Sequence, residues 1–266
     1  MQDFNFIYDG ISLQSMGYMV CDFDSRSSVD TVTTDSQRNF KSTSMYGGKY
    51  QPFTVTTYDD RIEFTFNICK RVCNTIQEST LNLMETKSLK RWLNRPEPHK
   101  FKIIYKEYAD YYFEGSFNVQ EVFYGNLRVG LELTFISNRP FGMHEPVLYT
   151  ADLTSTDVLS IADISDEIGY IYPDLTITCK ASGDLELLNS FDGRKTLIKN
   201  CRTGEVIHFS PALLLSSSIE SHKIQDDFNF TFLRISNSIY SRANNITVSL
   251  PCHIRIQYSP IAKVVI

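Results

Sequence analysis

The sequence lacks the residue patterns by which most catalytic and metal sites are recognised. Its five histidines occur singly, without H-x-H or H-E-x-x-H spacing. Phosphate-binding glycine loops and the G-x-S-x-G nucleophile motif are also absent. His208 and His253 fall in strand-like segments, where we expect exposed or hydrogen-bonded roles. We therefore expect no catalytic residues, no metal ligands, no cofactor-binding residues, no cofactor and no enzymatic activity.

The sequence also lacks long apolar runs and a basic patch. No run approaches the roughly 18 apolar residues that a membrane-spanning helix needs. The opening segment MQDFNFIYDG has no basic region followed by an apolar stretch, so we expect no signal peptide. The formal net charge is −5, and the acidic excess is spread over both halves. We therefore expect synthesis in the cytoplasm and neither a membrane nor a nucleic acid as partner.

A disulfide framework is absent as well. The six cysteines are scattered and include no C-x-x-C pair. Cys69 and Cys73 would share one face of a strand, but at about 13 Å they would lie too far apart for a disulfide. We expect free thiols that act mostly as small core residues.

Strand patterns are abundant, above all in the second half. Apolar and polar residues alternate at 175–179, 228–232, 246–250 and 254–258. A period of two predicts strands with one buried face. Turn formers such as Asp192-Gly193 separate these segments. The spacing predicts an antiparallel sandwich or jelly roll.

The first half combines strands with one helix. Alternation predicts strands at 62–68 and 127–135. The helix is predicted from about Thr80 to Asn94, with Ser79 or Thr80 as N-cap. Its apolar face comprises Leu81, Met84, Leu89, Trp92 and Leu93. We expect the single tryptophan on this face to be a core anchor beneath a sheet rather than a ligand platform.

Two carboxylate pairs are candidates for a glycosidase site, which needs two carboxylates across a sugar-sized gap. They are Glu121 with Glu132 and Glu186 with Glu205. Glu132 alternates with the apolar residues of its strand and should therefore point to solvent. We interpret both pairs as residues of solvated sheet faces.

A proline- and glycine-containing segment separates the two halves. Pro140, Gly142 and Pro146 interrupt the strand pattern, and such interruptions are typical of domain boundaries. We predict one domain at 1–145 and a second at 146–266. Residues 24–50 are rich in Ser, Thr, Asp and Gly, which predicts a long loop or a strand with a mobile arm.

The order of these segments resembles the distal tail (Dit) proteins of siphophages that infect Gram-positive bacteria. The likeness covers nearly the whole chain and is carried by diffuse patterns. They are FIYDGISLQSMGYMV at the start, LKRWLNRPEPHKFKIIYKEYADYYFEGSF in the middle, FISNRPFGM at the junction, and LTITCKASGDLELLNS with NNITVSLPCHIRIQYSP in the second half.

The resemblance implies a mainly β protein with one helix in its N-terminal domain. That domain would be a ring-forming β-sandwich, followed by a galectin-like or carbohydrate-module-like jelly-roll sandwich. The chain would be a structural virion component of the baseplate of a siphovirus or prophage, made in the bacterial host cytoplasm. Six copies would form a ring at the tail tip that joins the tail tube to the hub.

The implied partners are further copies of the chain, the major tail tube protein and the tail-associated hub or lysin protein. Receptor-binding proteins or host glycans are further candidates. Two other functions stay open. One is a carbohydrate-binding module that attaches to host cell-wall glycans, and the other is an accessory domain of a secreted hydrolase. The expected lack of a signal peptide argues against the hydrolase. The lack of tryptophan in the second half weakens sugar stacking.

Overall fold

The structure is a computed structural model that describes residues 5–21, 23, 38–43, 53–58, 61–71, 76–105 and 108–263. It divides into two compact units, Met1–Met143 with Lys263–Ile266, and His144–Ala262. Antiparallel strands dominate both units, so the predicted mainly β fold is confirmed. Most of the predicted loop at 24–50, together with Cys73, lies outside the described residues.

Among the described residues of the first unit, seven strands follow one another across an antiparallel sheet. They are β1 (Phe6–Tyr8), β2 (Ile11–Ser12), β3 (Tyr18–Cys21), β6 (Glu63–Lys70), β7 (His99–Ile103), β8 (Tyr111–Tyr124) and β9 (Leu127–Ser137). The order across the sheet is β2-β1-β7-β8-β9-β6-β3. Two further strands, β4 (Arg38–Thr43) and β5 (Phe53–Tyr58), pair with each other in a separate hairpin. A short strand, β10 (Gly142–His144), follows β9.

One face of this sheet carries the core of the first unit. Alternate residues of β6 and β9 are buried there, as the sequence predicts, because a strand turns successive side chains to opposite faces. The core is dominated by aromatic rings, and the centroids of Phe101 and Phe135 lie 4.7 Å apart. The buried alternating positions include Phe64, Ile68, Leu131 and Leu133.

Two of the described α-helices precede β7, namely the short α1 (Ile76–Ser79) and α2 (Leu83–Leu93). The predicted N-cap at Ser79 or Thr80 is wrong. Asn82 caps α2 instead, because its side chain accepts from the Glu85 N–H at 2.9 Å while the Glu85 carboxylate accepts from the Asn82 N–H at 2.8 Å. This reciprocal pair is a capping box, and it fixes the start of the helix.

The apolar face of α2 is narrower than predicted. Leu89, Trp92 and Leu93 are buried in the core, whereas Met84 is 76% exposed. At 100° per residue, Met84 lies roughly 130° around the helix from the centre of the buried set. It therefore faces away from the sheet. The predicted burial of Trp92 is confirmed.

The second unit is a sandwich of two antiparallel sheets. One sheet has the order β11-β21-β14-β17-β18 and the other β12-β20-β15-β16. The first comprises β11 (Val147–Leu153), β14 (Asp174–Cys179), β17 (Val206–Phe209), β18 (Leu215–Ser217) and β21 (Cys252–Tyr258). The second comprises β12 (Leu159–Ala162), β15 (Gly183–Asn189), β16 (Arg194–Cys201) and β20 (Ala243–Val248). The remaining elements are β13 (Gly169–Ile171), α3 (Ile224–Asp227), β19 (Ile235–Asn237) and β22 (Ile261–Ala262).

The inner faces of both sheets supply one core. Ile177 and Ile254 from the first sheet and Leu187 from the second are fully buried in the same cluster. The predicted alternation at 175–179 and 254–258 is confirmed, since these positions lie in β14 and β21 with alternate residues buried.

The predicted strand at 228–232 is wrong. The chain passes from α3 into an isolated bridge between Phe228 and Ile198 and forms no ladder there. Phe230 adopts φ +54° and is 72% exposed, and a positive φ is incompatible with an extended strand. The rings of Phe228 and Phe232 instead pack edge to face at 5.0 Å. Here the apolar alternation reflects aromatic packing of an irregular segment.

Candidate functional site

An open polar pocket of about 660 Å³ lies in the second unit, and we call it the His222 pocket. Three segments form its wall. They are the turn at the start of β15, the end of β16, and the segment around α3. The lining residues are Ser182, Gly183, Asp184, Asn200, Cys201, Arg202, Ser221, His222, Lys223, Asp226 and Asp227. Most of them are polar, so the wall of the pocket presents hydrogen-bonding groups rather than an apolar surface.

A buried charge pair lies beneath the pocket. The Glu205 side chain is 0% exposed and the His222 side chain 3% exposed, and His222 Nδ1 lies 2.6 Å from Glu205 Oε1. Glu205 also accepts from the Ser217 hydroxyl and from the Arg202 backbone N–H, the latter at 2.9 Å. A carboxylate taken out of water needs such partners, because an unpaired buried charge is strongly destabilising.

The two partners shift each other's pKa in opposite directions. Burial raises the pKa of Glu205, but the hydrogen bonds from Ser217, His222 and Arg202 outweigh burial, so that its pKa lies below the usual value. Burial lowers the pKa of His222, but the hydrogen bond and charge of Glu205 outweigh it, so that its pKa is raised. At pH values between these two shifted pKa values, the pair is an imidazolium facing a carboxylate.

Asn200, at the end of β16, forms hydrogen bonds that connect the segments at the rim of the pocket. Asn200 adopts φ +58°, a left-handed conformation that asparagine tolerates better than most residues. Its backbone N–H donates to Asp184 Oδ1 at 3.0 Å, and its side-chain amide donates to both carboxylate oxygens of Asp227 at 3.1 Å. These bonds tie β15, β16 and α3 together around the opening.

The arrangement does not form a hydrolase triad. In such a triad the serine hydroxyl donates to the histidine, which a carboxylate orients from its other side. Here the Ser217 hydroxyl donates directly to Glu205, and His222 bonds the same carboxylate oxygen. Ser217 is therefore not set against His222 as a nucleophile against a base.

Neither candidate glycosidase pair is brought together. Glu121 stands opposite Leu131 in the β8–β9 ladder, whereas Glu132 stands opposite Gln120, so that their side chains lie on opposite faces of the sheet. Glu121 is neutralised by Lys90 and Arg128, each at 2.6 Å. It joins α2 to the β8–β9 hairpin.

Glu186 and Glu205 are not brought together either, because they are associated with different sheets and differ in solvent exposure. Glu186 belongs to β15 in one sheet and pairs with Lys195 at 3.0 Å. Glu205 precedes β17 in the other sheet and is fully buried. The prediction of a solvated sheet face therefore fits Glu186 and is wrong for Glu205, which His222 and Ser217 hold inside the fold.

The histidines singled out from the strand patterns are hydrogen-bonded, as predicted. His208 Nε2 lies 3.0 Å from Asp174 Oδ2, and His253 Nδ1 lies 2.8 Å from Asp152 Oδ1. Within the described part of the chain, no group of three or more His, Cys, Asp or Glu could hold a metal ion. The described cysteines are free thiols at positions 21, 69, 179, 201 and 252.

No residue pattern in the sequence directly indicates the pairing of His222 with Glu205. They lie 17 positions apart with two strands, β17 and β18, between them, and neither lies in a recognisable motif. The one available signal was indirect, namely a glutamate directly before the apolar alternation of β17. Such a position predicts partial burial, and a buried carboxylate needs a cationic or hydrogen-bonding partner.

Several large apolar side chains are exposed at the ends of hairpins and loops. In the first unit, the β8–β9 turn exposes Phe123, Tyr124 and Leu127, and Tyr124 is 75% exposed. In the second unit, Tyr240 is 96% exposed in a turn whose backbone is fixed by Ser238. Exposed aromatic residues at turns are typical of protein contact sites. None of the described helices is long and apolar enough to cross a membrane.

Comparison with known proteins gives a consistent result over the whole chain. A family model described as a phage tail protein N-terminal domain matches residues 1–139, and one described as a phage tail C-terminal domain matches residues 141–258. The fold is similar to the crystal structure of the Dit protein of phage SPP1. That protein is described as a paradigm of the hub adsorption apparatus in phages that infect Gram-positive bacteria.

The sequence identity to the SPP1 protein is 12% and the TM-score is 0.64, with 96% of this chain and 98% of that chain covered. At this identity the likeness shows the fold. No protein of curated function matches the sequence.

Proposed function

We propose that this chain, which belongs to the family of phage tail proteins whose N- and C-terminal domains it matches, is a distal tail protein of the tail tip. In this proposal six copies form a ring that joins the tail tube to the hub protein. The observation that carries it is the succession of two tail-protein domains along one chain with a Dit-like fold over 96% of its length. The protein would then be a component of the virion.

The described β4–β5 hairpin supports a contact with a neighbouring copy. Its strands pair with each other and with no other described strand. An isolated two-stranded hairpin is marginally stable in water and needs a further strand or a packing surface. A hairpin that docks on the next copy in a head-to-tail ring would gain that surface, and a ring closes when the rotation between copies is uniform.

The exposed aromatic turn of the first unit supports the same assignment. Phe123 and Tyr124 lie at the end of the longest hairpin of the sheet. Arg128 lies over the Phe123 ring at 5.4 Å and pairs with Glu121 at 2.6 Å, so the turn is supported from the strand side. An aromatic side chain already held by such a contact loses less conformational entropy on binding, which favours its use as an interface anchor.

Electron cryomicroscopy of intact tails tests the ring directly. We expect six copies of this protein at the tail tip, between the tube and the hub. One or three copies, or absence of the protein from purified particles, would overturn the proposal. Light scattering of the purified chain, alone and mixed with the hub protein, tests whether the ring forms without the tail.

A matched pair of substitutions tests which unit builds the ring. Tyr124→Lys and Tyr240→Lys each replace one highly exposed aromatic residue, in the first and second unit respectively. If the first unit builds the ring, Tyr124→Lys lowers the fraction of ring by at least tenfold, and Tyr240→Lys leaves it unchanged. The reverse result would assign the ring to the second unit.

A further inference from the structure

Cys21 and Cys69 lie close together on the face of the first unit's sheet that points away from the core. Val20 of β3 stands opposite Ile68 of β6, and both pack into the core. The next residues along these strands, Cys21 and Cys69, therefore point to the other face. Both are partly exposed. Small oxidants in solution can reach thiols at such positions.

The two thiol groups contact each other. In the β3–β6 ladder Cys21 stands opposite Asn67, so that Cys69 is its diagonal neighbour on the same face. Diagonal neighbours are usually farther apart than opposite ones, but here the Cys21 thiol donates a hydrogen bond to the Cys69 sulfur. This bond outweighs burial and lowers the pKa of Cys69. A larger fraction of Cys69 is then the thiolate, which is the form that reacts with oxidants.

A disulfide bond between these residues requires at most a small movement of one strand. The Cα atoms of bridged cysteines are usually about 4.4–6.8 Å apart. Among the described strands, β3 is the last one on its side of the sheet and pairs with β6 alone. It can therefore shift without breaking a ladder on its other side.

The cysteines of the second unit lack this exposure. Cys179 and Cys201 are also joined by a thiol hydrogen bond, but they are 1% and 2% exposed in the core of the sandwich. Cys252 is fully buried, and burial raises its pKa to about 11. An oxidant reaches these thiols only if the sandwich opens. They provide an internal comparison, namely a pair of thiols in contact but shielded from solvent.

We propose that Cys21 and Cys69 form a disulfide bond when the protein meets hydrogen peroxide outside the reducing cytoplasm. The Cys69 thiolate attacks one peroxide oxygen, the O–O bond breaks, and the leaving hydroxide takes up the proton that the thiol lost. Cys69 is then a sulfenic acid. The Cys21 sulfur attacks the sulfenic sulfur, the S–S bond forms and water leaves. In total the two thiols lose two electrons and two protons, and the peroxide is reduced to two water molecules.

The bond would close the chain between Cys21 and Cys69 into a loop that contains the β4–β5 hairpin. Such a cross-link restricts the unfolded chain and so stabilises the folded first unit, and the effect grows with the length of the loop. The bond would also fix the edge strand β3 to the sheet. This inference goes beyond ring formation. Only the encounter with an oxidising exterior rests on the proposed place of the protein in the virion.

Oxidation of the purified full-length protein tests the proposal. The reduced protein is treated with hydrogen peroxide, alkylated and digested with trypsin, which places the six cysteines on six different peptides. Mass spectrometry without reduction should find the peptides 1–26 and 62–70 joined, at about tenfold higher yield than any other cysteine pair. The oxidised protein should melt at a higher temperature than the reduced protein. Added reductant should reverse this shift.

Three variants separate this pair from the other thiols. Cys21→Ser and Cys69→Ser should each abolish the link and the rise in melting temperature. In Cys21→Ser the sulfenic acid at Cys69 has no thiol beside it, so dimedone, which traps sulfenic acids, should label Cys69. Cys73→Ser is the matched control, because it removes the thiol nearest to Cys69 in the sequence. It should keep both the link and the shift.

Four outcomes would overturn the proposal. They are thiols at Cys21 and Cys69 that stay reduced in peroxide, a main link that includes Cys73, a main link between Cys179 and Cys201, and a main link between two copies of the chain on a non-reducing gel. The ring is measured separately in intact tails, so failure of the disulfide and failure of the ring are distinguishable.

Discussion

The indole Nε1–H of Trp92 donates a hydrogen bond to the backbone carbonyl of Tyr8 at 3.1 Å. This bond joins the last turn of α2 to β1 across 84 residues of sequence. The same indole stacks on Phe6, with ring centroids 6.1 Å apart. The tryptophan thus fixes the helix to the sheet by a polar contact at one edge of its ring and by apolar contacts on its face.

Trp92→Ala should lower the free energy of unfolding by about 3–5 kcal/mol, because it removes a large core side chain and leaves a cavity. Urea denaturation followed by circular dichroism measures the loss. Met84→Ala, on the exposed side of the same helix, serves as control and should change stability by less than about 0.5 kcal/mol. An unchanged unfolding midpoint in Trp92→Ala would show that the helix does not anchor the sheet.

Asn82→Ala should cost about 0.5–2 kcal/mol, since the first turn of α2 loses its capping hydrogen bond. Asn82→Ser should retain most of the stability, because serine is a comparably good N-cap. Lys87→Ala, in the exposed middle of the helix, provides a control for side-chain loss outside the cap. Equal denaturation midpoints for Asn82→Ala and Lys87→Ala would refute the role of the cap.

Gly115→Ala should destabilise the first unit by on the order of 1–3 kcal/mol. A methyl group at this position would overlap the backbone carbonyl of Ile136 and the ring of Phe135. The backbone of the neighbouring strand cannot move aside without breaking the β8–β9 ladder. Asn118→Ala, on the exposed side of β8, is the control. A melting temperature of Gly115→Ala equal to that of the control would contradict the close packing.

The Glu205–His222 pair should make the second unit less stable both when the pH rises and when it falls. The raised pKa of His222 means that its contribution is complete below the usual value of 6.5 and is lost as the pH rises through the folded-state pKa above it. The lowered pKa of Glu205 means that its contribution is complete above the usual value of 4.5 and is lost as the pH falls through the folded-state pKa below it. The pair should therefore stabilise the second unit most between about pH 4.5 and 6.5.

Melting temperatures measured across this pH range check the effect in the wild type and in His222→Gln. The variant should lack the decline of stability above pH 6.5 that we expect in the wild type. His208→Gln, which alters a half-exposed histidine on the sheet face, should keep the wild-type profile. A His222→Gln profile that parallels the wild type would rule out the pair as its source.

The boundary near 138–150 between two separately folding domains stays a prediction, and limited proteolysis addresses it. Early cuts are expected there or within 24–50, because a protease needs locally unfolded chain. First cleavage inside 127–136 or 246–258 would contradict the boundary. Mass spectrometry of the early fragments identifies the sites.

Most of the strands and the Trp92 helix were predicted from the sequence, because short-range residue patterns are enough to indicate them. Alternation over β6, β9, β14 and β21 marked one buried face, and a strand presents alternate residues to the core wherever it lies in the sheet. The burial of Trp92 followed from its place on the apolar side of a helix. The order of these elements was also enough to indicate the family, since order along the chain is a property of the sequence itself.

Local patterns misled where competing contacts decided the conformation. The N-cap of α2 is Asn82 rather than Ser79 or Thr80, because Asn82 forms a capping box with Glu85. The aromatic alternation at 228–232 is an irregular segment because Phe230 has a left-handed backbone. In both places the deciding contact was a specific hydrogen bond or ring packing, which period-two and helical patterns do not encode.

The amino-acid sequence by itself determined the fold class and most of the core positions, since these depend on hydrophobic periodicity along the chain. Only the tertiary structure brought Glu205 to His222 and formed the pocket above them. Three segments meet at the pocket, namely the start of β15, the end of β16 and the segment around α3. They are distant from one another in the sequence. A buried charge is stable only when an oppositely charged or hydrogen-bonding group contacts it. Tertiary folding, and not the local sequence, determines which group that is.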